Sequence, residues 1–114
     1  MNTESSFVLV TKLDQLSVEQ GKAFRVNDYS VALFRLSSGE VYAIENSCPH
    51  IGAPLDNGII NQKSCELTCL WHGWCFNLKT GDSINYKGAK IRTFPTKVSN
   101  NQVFIDIPKL KEEN

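Results

Sequence analysis

Two short stretches of this sequence each place a thiol and an imidazole within one tight loop: Cys48-Pro49-His50-Ile51-Gly52 and Cys69-Leu70-Trp71-His72-Gly73. His50 follows Cys48 by two positions, His72 follows Cys69 by three, and the chain has no other histidine. A thiolate and an imidazole this close can aim at a common centre, and glycines at 52 and 73 let the backbone turn sharply beside them. Two such loops supply four ligands. They could serve a tetrahedral zinc bound by two Cys and two His, or a [2Fe-2S] cluster with two Cys on one iron and two His on the other. Structural zinc sites usually pair like with like, whereas each loop here gives one ligand of each kind, which suits the iron dimer.

Taken singly, a buried cysteine is most often a small apolar filler and a histidine a hydrogen-bonded surface side chain. The joint pattern outweighs that reading for Cys48, His50, Cys69 and His72. It does not do so for Cys65 and Cys75, which have no partner histidine and are expected to be free thiols. Trp71 and Trp74 flank His72 and are expected to shield one side of the centre.

The elements that must position these loops read as short strands. With 114 residues and 12.8 kDa the chain is about one domain's worth. Hydrophobic residues make up 41% and charged residues 21%, enough for a real core. Turn signals recur at hairpin-like intervals with little helical periodicity, so the expected class is all-β. Candidate strands are 7–12, 22–26, 29–36 and 40–45, which could form a meander, then 66–70 and 75–78, then 91–98 and 102–107. Only 14–20 offers a helical turn. One domain is expected over 7–107, with a ligand-bearing insert at about 46–90 and frayed tails at 1–6 and 108–114. The insert holds all four cysteines, both histidines and both tryptophans.

Twelve Lys plus Arg balance twelve Asp plus Glu, so no net field would hold a nucleic acid or an anionic membrane. The first six residues have no basic region, and Phe7-Val8-Leu9-Val10 is too short for a signal peptide or a membrane span. A cytoplasmic protein is expected, in a reducing compartment where cysteines bind metal or stay reduced.

The pattern Cys-x-His-x-Gly followed by Cys-x-x-His-Gly resembles the Rieske [2Fe-2S] signature. The resemblance extends over roughly residues 7–107 and implies an antiparallel β-sandwich with an inserted two-loop cluster-binding lobe. It implies one [2Fe-2S] cluster, with Cys48 and Cys69 on the buried iron and His50 and His72 on the outer one. The high-potential respiratory members carry an extra cysteine in each loop, where this chain has Ala53 and Trp71. They also carry a serine and a tyrosine that donate to sulfur, where this chain has Trp74 and Phe76. Fewer donors stabilise the reduced cluster less, so the potential is expected toward the low end of about −150 to +300 mV.

The His72-Gly73-Trp74-x-Phe76 stretch is similar to that of ring-hydroxylating oxygenase large subunits. Those need two further histidines for a mononuclear iron, and this sequence has none to spare. The resemblance therefore implies an electron carrier rather than an enzyme, similar to the ferredoxins of multicomponent oxygenases. It would stand as a monomer between an NAD(P)H-dependent flavin reductase and a terminal oxygenase or reductase. The small subunit of an NAD(P)H-dependent nitrite reductase is the alternative within the family, and a zinc-stapled interaction module the alternative outside it. The surface around the two histidines, formed by Pro49, Ile51, Pro54, Leu55 and Trp71, is expected to be apolar and uncharged.

Overall fold

The computed structural model describes residues 7–49, 52–71 and 73–108. Ten strands follow one another: β1 (Phe7–Lys12), β2 (Lys22–Val26), β3 (Tyr29–Arg35), β4 (Val41–Glu45), β5 (Ile59–Asn61), β6 (Glu66–Thr68), β7 (Cys75–Asn77), β8 (Thr93–Phe94), β9 (Thr96–Ser99) and β10 (Gln102–Asp106). They form three sheets, all pairings antiparallel: a central sheet β2-β3-β4-β8, a terminal sheet β1-β10-β9 and a lobe sheet β5-β6-β7. The expected all-β class holds.

The central sheet is the middle layer. Successive strand residues point to opposite faces, yet Val31, Ala32, Leu33 and Phe34 in β3 are all fully buried, so both faces must be covered. Val31, Leu33, Val41, Ala43 and Phe94 pack with Val103, Ile105 and Ile107 of the terminal sheet and its extension. Ala32, Phe34, Leu36 and Ile44 pack on the other face with Leu55, Leu67, Phe76, Leu78 and both Cys48 and Cys69. The two candidate thiols thus stand on a hydrophobic platform supplied by the sandwich.

The hairpin β2-β3 turns through Asn27 and Asp28, with φ of 48° and 69°, and β9-β10 through Asn100 and Asn101, at 52° and 63°. Left-handed backbone at both central residues is what a two-residue hairpin turn requires, and Asn and Asp tolerate it better than other side chains.

Several expectations need correction. The first four strands are not one meander: β2-β3-β4 is, but β1 pairs with β10. The connection Leu13–Val18 carries the chain away, and Arg35 Nη1 donates to the carbonyls of Leu13 and Leu16 at 3.2 Å, fixing its path. The helical turn lies at Leu13–Gln15 and is a single 3-10 turn. Residues 91–98 are not one strand but two, in different sheets. Pro95 has no N–H for a ladder, and the chain changes sheets there, secured by the Thr96 hydroxyl on the Val41 carbonyl at 2.6 Å. The strand at 66–70 stops at Thr68 and that at 75–78 stops at Asn77. The three-residue β5 was not foreseen; it is too short for any period to show.

Candidate metal centre

Loop one leaves β4 of the central sheet and loop two joins β6 to β7 of the lobe, so both are anchored at strand ends. They are closed in the same way. The Cys48 N–H donates to the Ala53 carbonyl at 2.8 Å, and the Cys69 N–H donates to the Trp74 carbonyl at 2.7 Å, each spanning five positions. Gly52 and Gly73, each four residues after its cysteine, have φ of 75° and 69°, a backbone that side-chain-bearing residues resist. In loop one the Gly52 N–H also returns to the Cys48 carbonyl at 2.7 Å.

The cysteines at the start of both loops have no exposed surface, and neither is in a disulfide. Both are packed in one buried cluster. Burial pushes the Cys69 thiol up; the Trp71 N–H, 3.4 Å from its sulfur, works the other way, and the Cys48 thiol beside it raises it again. Two adjacent buried thiols are costly to ionise with nothing positive between them, and a bound cation removes that cost. The donor set is therefore soft, convergent and closed to solvent, which fits a [2Fe-2S] group.

His50, Ile51 and His72 lie outside the described residues, and among the described residues no group of three or more Cys, His, Asp or Glu side chains gathers. The structure brings Cys48 and Cys69 together.

Outside the two loops, Asn46 was missed by the sequence reading. Its Oδ1 accepts from the N–H groups of Leu55 at 2.6 Å and Asp56 at 2.9 Å, and its Nδ2 donates to Asp56 Oδ1 at 3.0 Å. It thereby pins the far end of loop one to the residue two before Cys48. An asparagine next to a turn gives no signal that it would serve a loop ten residues on.

The rim is apolar, with one correction. Pro49, Pro54 and Trp71 are exposed, but Leu55 is fully buried in the lobe core; Leu70, 54% exposed, supplies the outward leucine instead. The two tryptophans also part. Trp71 stands in solvent at 52% exposure, whereas Trp74 turns inward and stacks on Tyr86 at 4.2 Å between ring centroids.

Cys65 and Cys75 carry free thiols. Cys75 Sγ lies 3.2 Å from Thr68 Oγ1 and 3.6 Å from the Gly73 carbonyl. We expect C65S and C75S proteins to keep full colour and iron content on purification, and a well-folded but colourless C75S protein would reassign the ligands.

Cys65 sits beside Tyr42. Burial pushes the Cys65 thiol above its usual 9.0, with Lys79 and the Tyr42 hydroxyl opposing. Burial likewise pushes Tyr42 from 10.0 up to about 12, reinforced by Glu40 and Cys65. Both groups ionise earlier in the unfolded chain, which binds fewer protons than the native state above that point. Stability present below the unfolded values is therefore lost as pH rises through them toward the folded ones. Urea midpoints should fall between about pH 9 and 12, and less steeply in Y42F; identical slopes would contradict this.

Residues 6–95 match the Rieske [2Fe-2S] domain. The 3-phenylpropionate/cinnamic acid dioxygenase ferredoxin subunit of Shigella boydii is 33% identical over 93 residues, covering 80% of this chain and 86% of that protein. Among solved structures, the ferredoxin of carbazole 1,9a-dioxygenase from Nocardioides aromaticivorans superposes with a TM-score of 0.81 at 30% identity, over 89% of this chain and 97% of the other. An NADH-dependent nitrite reductase small subunit from Mycobacterium tuberculosis shares the fold, with a TM-score of 0.84 at 22% identity over 91% and 96% of the two chains. Some curated relatives are much longer: human apoptosis-inducing factor 3 is 36% identical over 69 residues, 60% of this chain and 11% of its own length. No helix among the described residues is long and apolar enough to cross a membrane. With paired loops of one build, buried convergent thiols and a domain match along most of its length, this chain belongs to the Rieske [2Fe-2S] family.

Proposed function

We propose that this protein is a single-electron carrier that accepts electrons from an NAD(P)H-dependent flavin reductase and delivers them to a terminal oxygenase, transforming no substrate itself. The observation that carries this reading is the buried thiol pair under an uncharged apolar rim. Cys48, His50, Cys69 and His72 are the proposed ligands. A [2Fe-2S] group, when bound there, supplies a site that takes up and gives back one electron.

The chain's own residues supply the rest. Cys48 and Cys69 hold the inner side, shut off from water by Leu55, Leu67 and Phe76. The Trp71 N–H on Cys69 sulfur favours the more negative state, since a donor stabilises charge on sulfur. Neither residues 46–55 nor 67–78 contain a Lys, Arg, Asp or Glu. Pro49, Pro54, Leu70 and Trp71 can therefore dock against an apolar partner surface without desolvating a charge, which suits brief contact with two partners in turn.

Potentiometric titration followed by electron paramagnetic resonance tests this. The expected result is a one-electron couple toward the low end of about −150 to +300 mV, from a protein that purifies as a free monomer. Zinc without iron would assign the interaction module. Stable co-purification with a large NAD(P)H-oxidising subunit would favour the nitrite reductase reading.

A further inference from the structure

Loop two is closed by the bond from the Cys69 N–H to the Trp74 carbonyl. Its outer end is held by a segment more than ten residues away in sequence. Asn85 Nδ2 donates to the Gly73 carbonyl at 3.0 Å, and Asn85 Oδ1 accepts from the Cys75 N–H at 3.1 Å. One carboxamide thus grips the backbone on both sides of Trp74, starting at the residue that directly follows His72. The carboxamide is itself oriented, because the Ser83 hydroxyl reaches Asn85 Oδ1 at 3.5 Å and accepts from the Tyr86 N–H at 2.9 Å.

The segment that carries Asn85 is docked firmly. The Ile84 N–H donates to the Cys75 carbonyl at 2.8 Å, Phe76 and Ser83 form an antiparallel bridge, and Tyr86 lies on the Trp74 ring with planes 18° apart. Neighbouring backbone is therefore registered on loop two from one direction, and Asn85 converts that registration into a fixed carbonyl and a fixed amide. Asn46 does the equivalent for loop one, with its Oδ1 on two amides of the loop's far end.

We propose that Asn85 is a positioning residue for the second ligand loop: by clamping the Gly73 carbonyl and the Cys75 amide together, it fixes the backbone that follows the proposed ligand position and slows loss of the cluster. Among the described residues, Asn85 hydrogen-bonds neither Cys48 nor Cys69 and acts through the backbone on either side of Trp74. The proposal rests on the Rieske reading of His72. It adds a residue that no ligand pattern contains, since position 85 lies outside both loops.

The test compares N85A with N61A in the cluster-loaded protein. Asn61 also holds lobe backbone, accepting from the N–H groups of Lys63 at 3.0 Å and Ser64 at 3.2 Å, but at the β5-β6 turn. Both variants lose comparable local bonds; only N85A loosens loop two. Bleaching of the visible absorption under a ferrous chelator should be about tenfold faster in N85A, within the range seen when groups behind a metal ligand are removed. It should be close to the parent rate in N61A. The resonance of reduced N85A should broaden as loop two takes a spread of settings, while that of N61A keeps the parent line shape.

Equal bleaching rates in parent and N85A, or equal acceleration in both variants, would overturn the proposal. If N85A does not fold, N85D decides. It keeps an acceptor for the Cys75 N–H but sets an acceptor against the Gly73 carbonyl, and it should bleach faster than the parent; parent-like bleaching overturns the clamp. A parent protein that holds zinc or no metal would instead overturn the Rieske reading, before any variant is compared.

Discussion

Replacing Cys48 or Cys69 by alanine should strip the protein of iron and colour while leaving the sandwich folded. The parent is expected to hold two irons and two acid-labile sulfides per chain. Each cysteine is at the base of its loop with no surface exposed, so a lost thiolate cannot be replaced by water without opening the lobe. H50A and H72A should lose the cluster as well. The expected division of the damage follows from the two cores. Cys48, Cys69, Leu55, Leu67 and Phe76 share one cluster on one face of the central sheet, and Val103, Ile105, Leu33 and Ala43 share another on the opposite face. Metal-bound lobes lose much of their order with the metal, but the second core includes no proposed ligand. In amide spectra of C48A or C69A, signals from β5 to β7 should collapse while those from β1, β3 and β10 persist. A coloured C48A protein would show that another residue supplies the fourth ligand, and a lobe fully ordered without iron would show that the cluster is not a structural staple.

The two candidate ligand loops were legible because their signal is local: a cysteine and a histidine at a fixed short spacing in each, which hardly depends on what the rest of the chain does. The hairpin β2-β3 was legible for the same reason, since Asn27-Asp28 between two strand-like runs specifies its own turn. What failed depends on long-range pairing. The β1-β10 partnership joins residues about a hundred positions apart and leaves no mark at either end that would separate it from a β1-β2 hairpin. Residues 91–98 read as one strand because they run without a turn signal other than Pro95 up to Ser99-Asn100-Asn101. Only the presence of two sheets to choose between makes that proline a crossing point. Leu55 was placed on the rim because it lies in a ligand loop. In the structure, Asn46 pulls the Leu55 and Asp56 amides back toward β4, and the leucine turns into the core. Clamps such as Asn46 and Asn85 escape sequence reading altogether, because each serves a backbone nine or more residues away.

A tight seam at Gly81 and Ile91 joins the lobe to the chain entering the central sheet, and G81A should break it. Gly81 has φ of 84°, donates its N–H to the Asn77 carbonyl at 2.7 Å, and accepts from the Ile91 N–H at 2.8 Å. A β-carbon there would collide with the Ile91 carbonyl oxygen and press on Thr93 Cγ2 at 3.2 Å. The colliding atom is backbone, and Ile91 leads directly into β8, which is bonded to β4, so the strand cannot retreat without unpairing from the sheet. Gly88 provides the control: its φ is 89°, but a β-carbon there meets nothing within 4 Å. Both alanine variants incur the left-handed strain of about 1–2 kcal/mol, and only G81A adds an overpacking cost of about 1–3 kcal/mol. A total of roughly 2–5 kcal/mol corresponds to a fall in Tm of more than about 10 °C for a domain of this size, against only the strain part in G88A. Because the seam also fixes the lobe over Phe34 and Ile44, G81A should lose its cluster faster on heating than G88A does. Matching melting curves for the two variants would mean that the strand at Ile91 yields at little cost, and that the other contacts of the lobe hold it to the sheet.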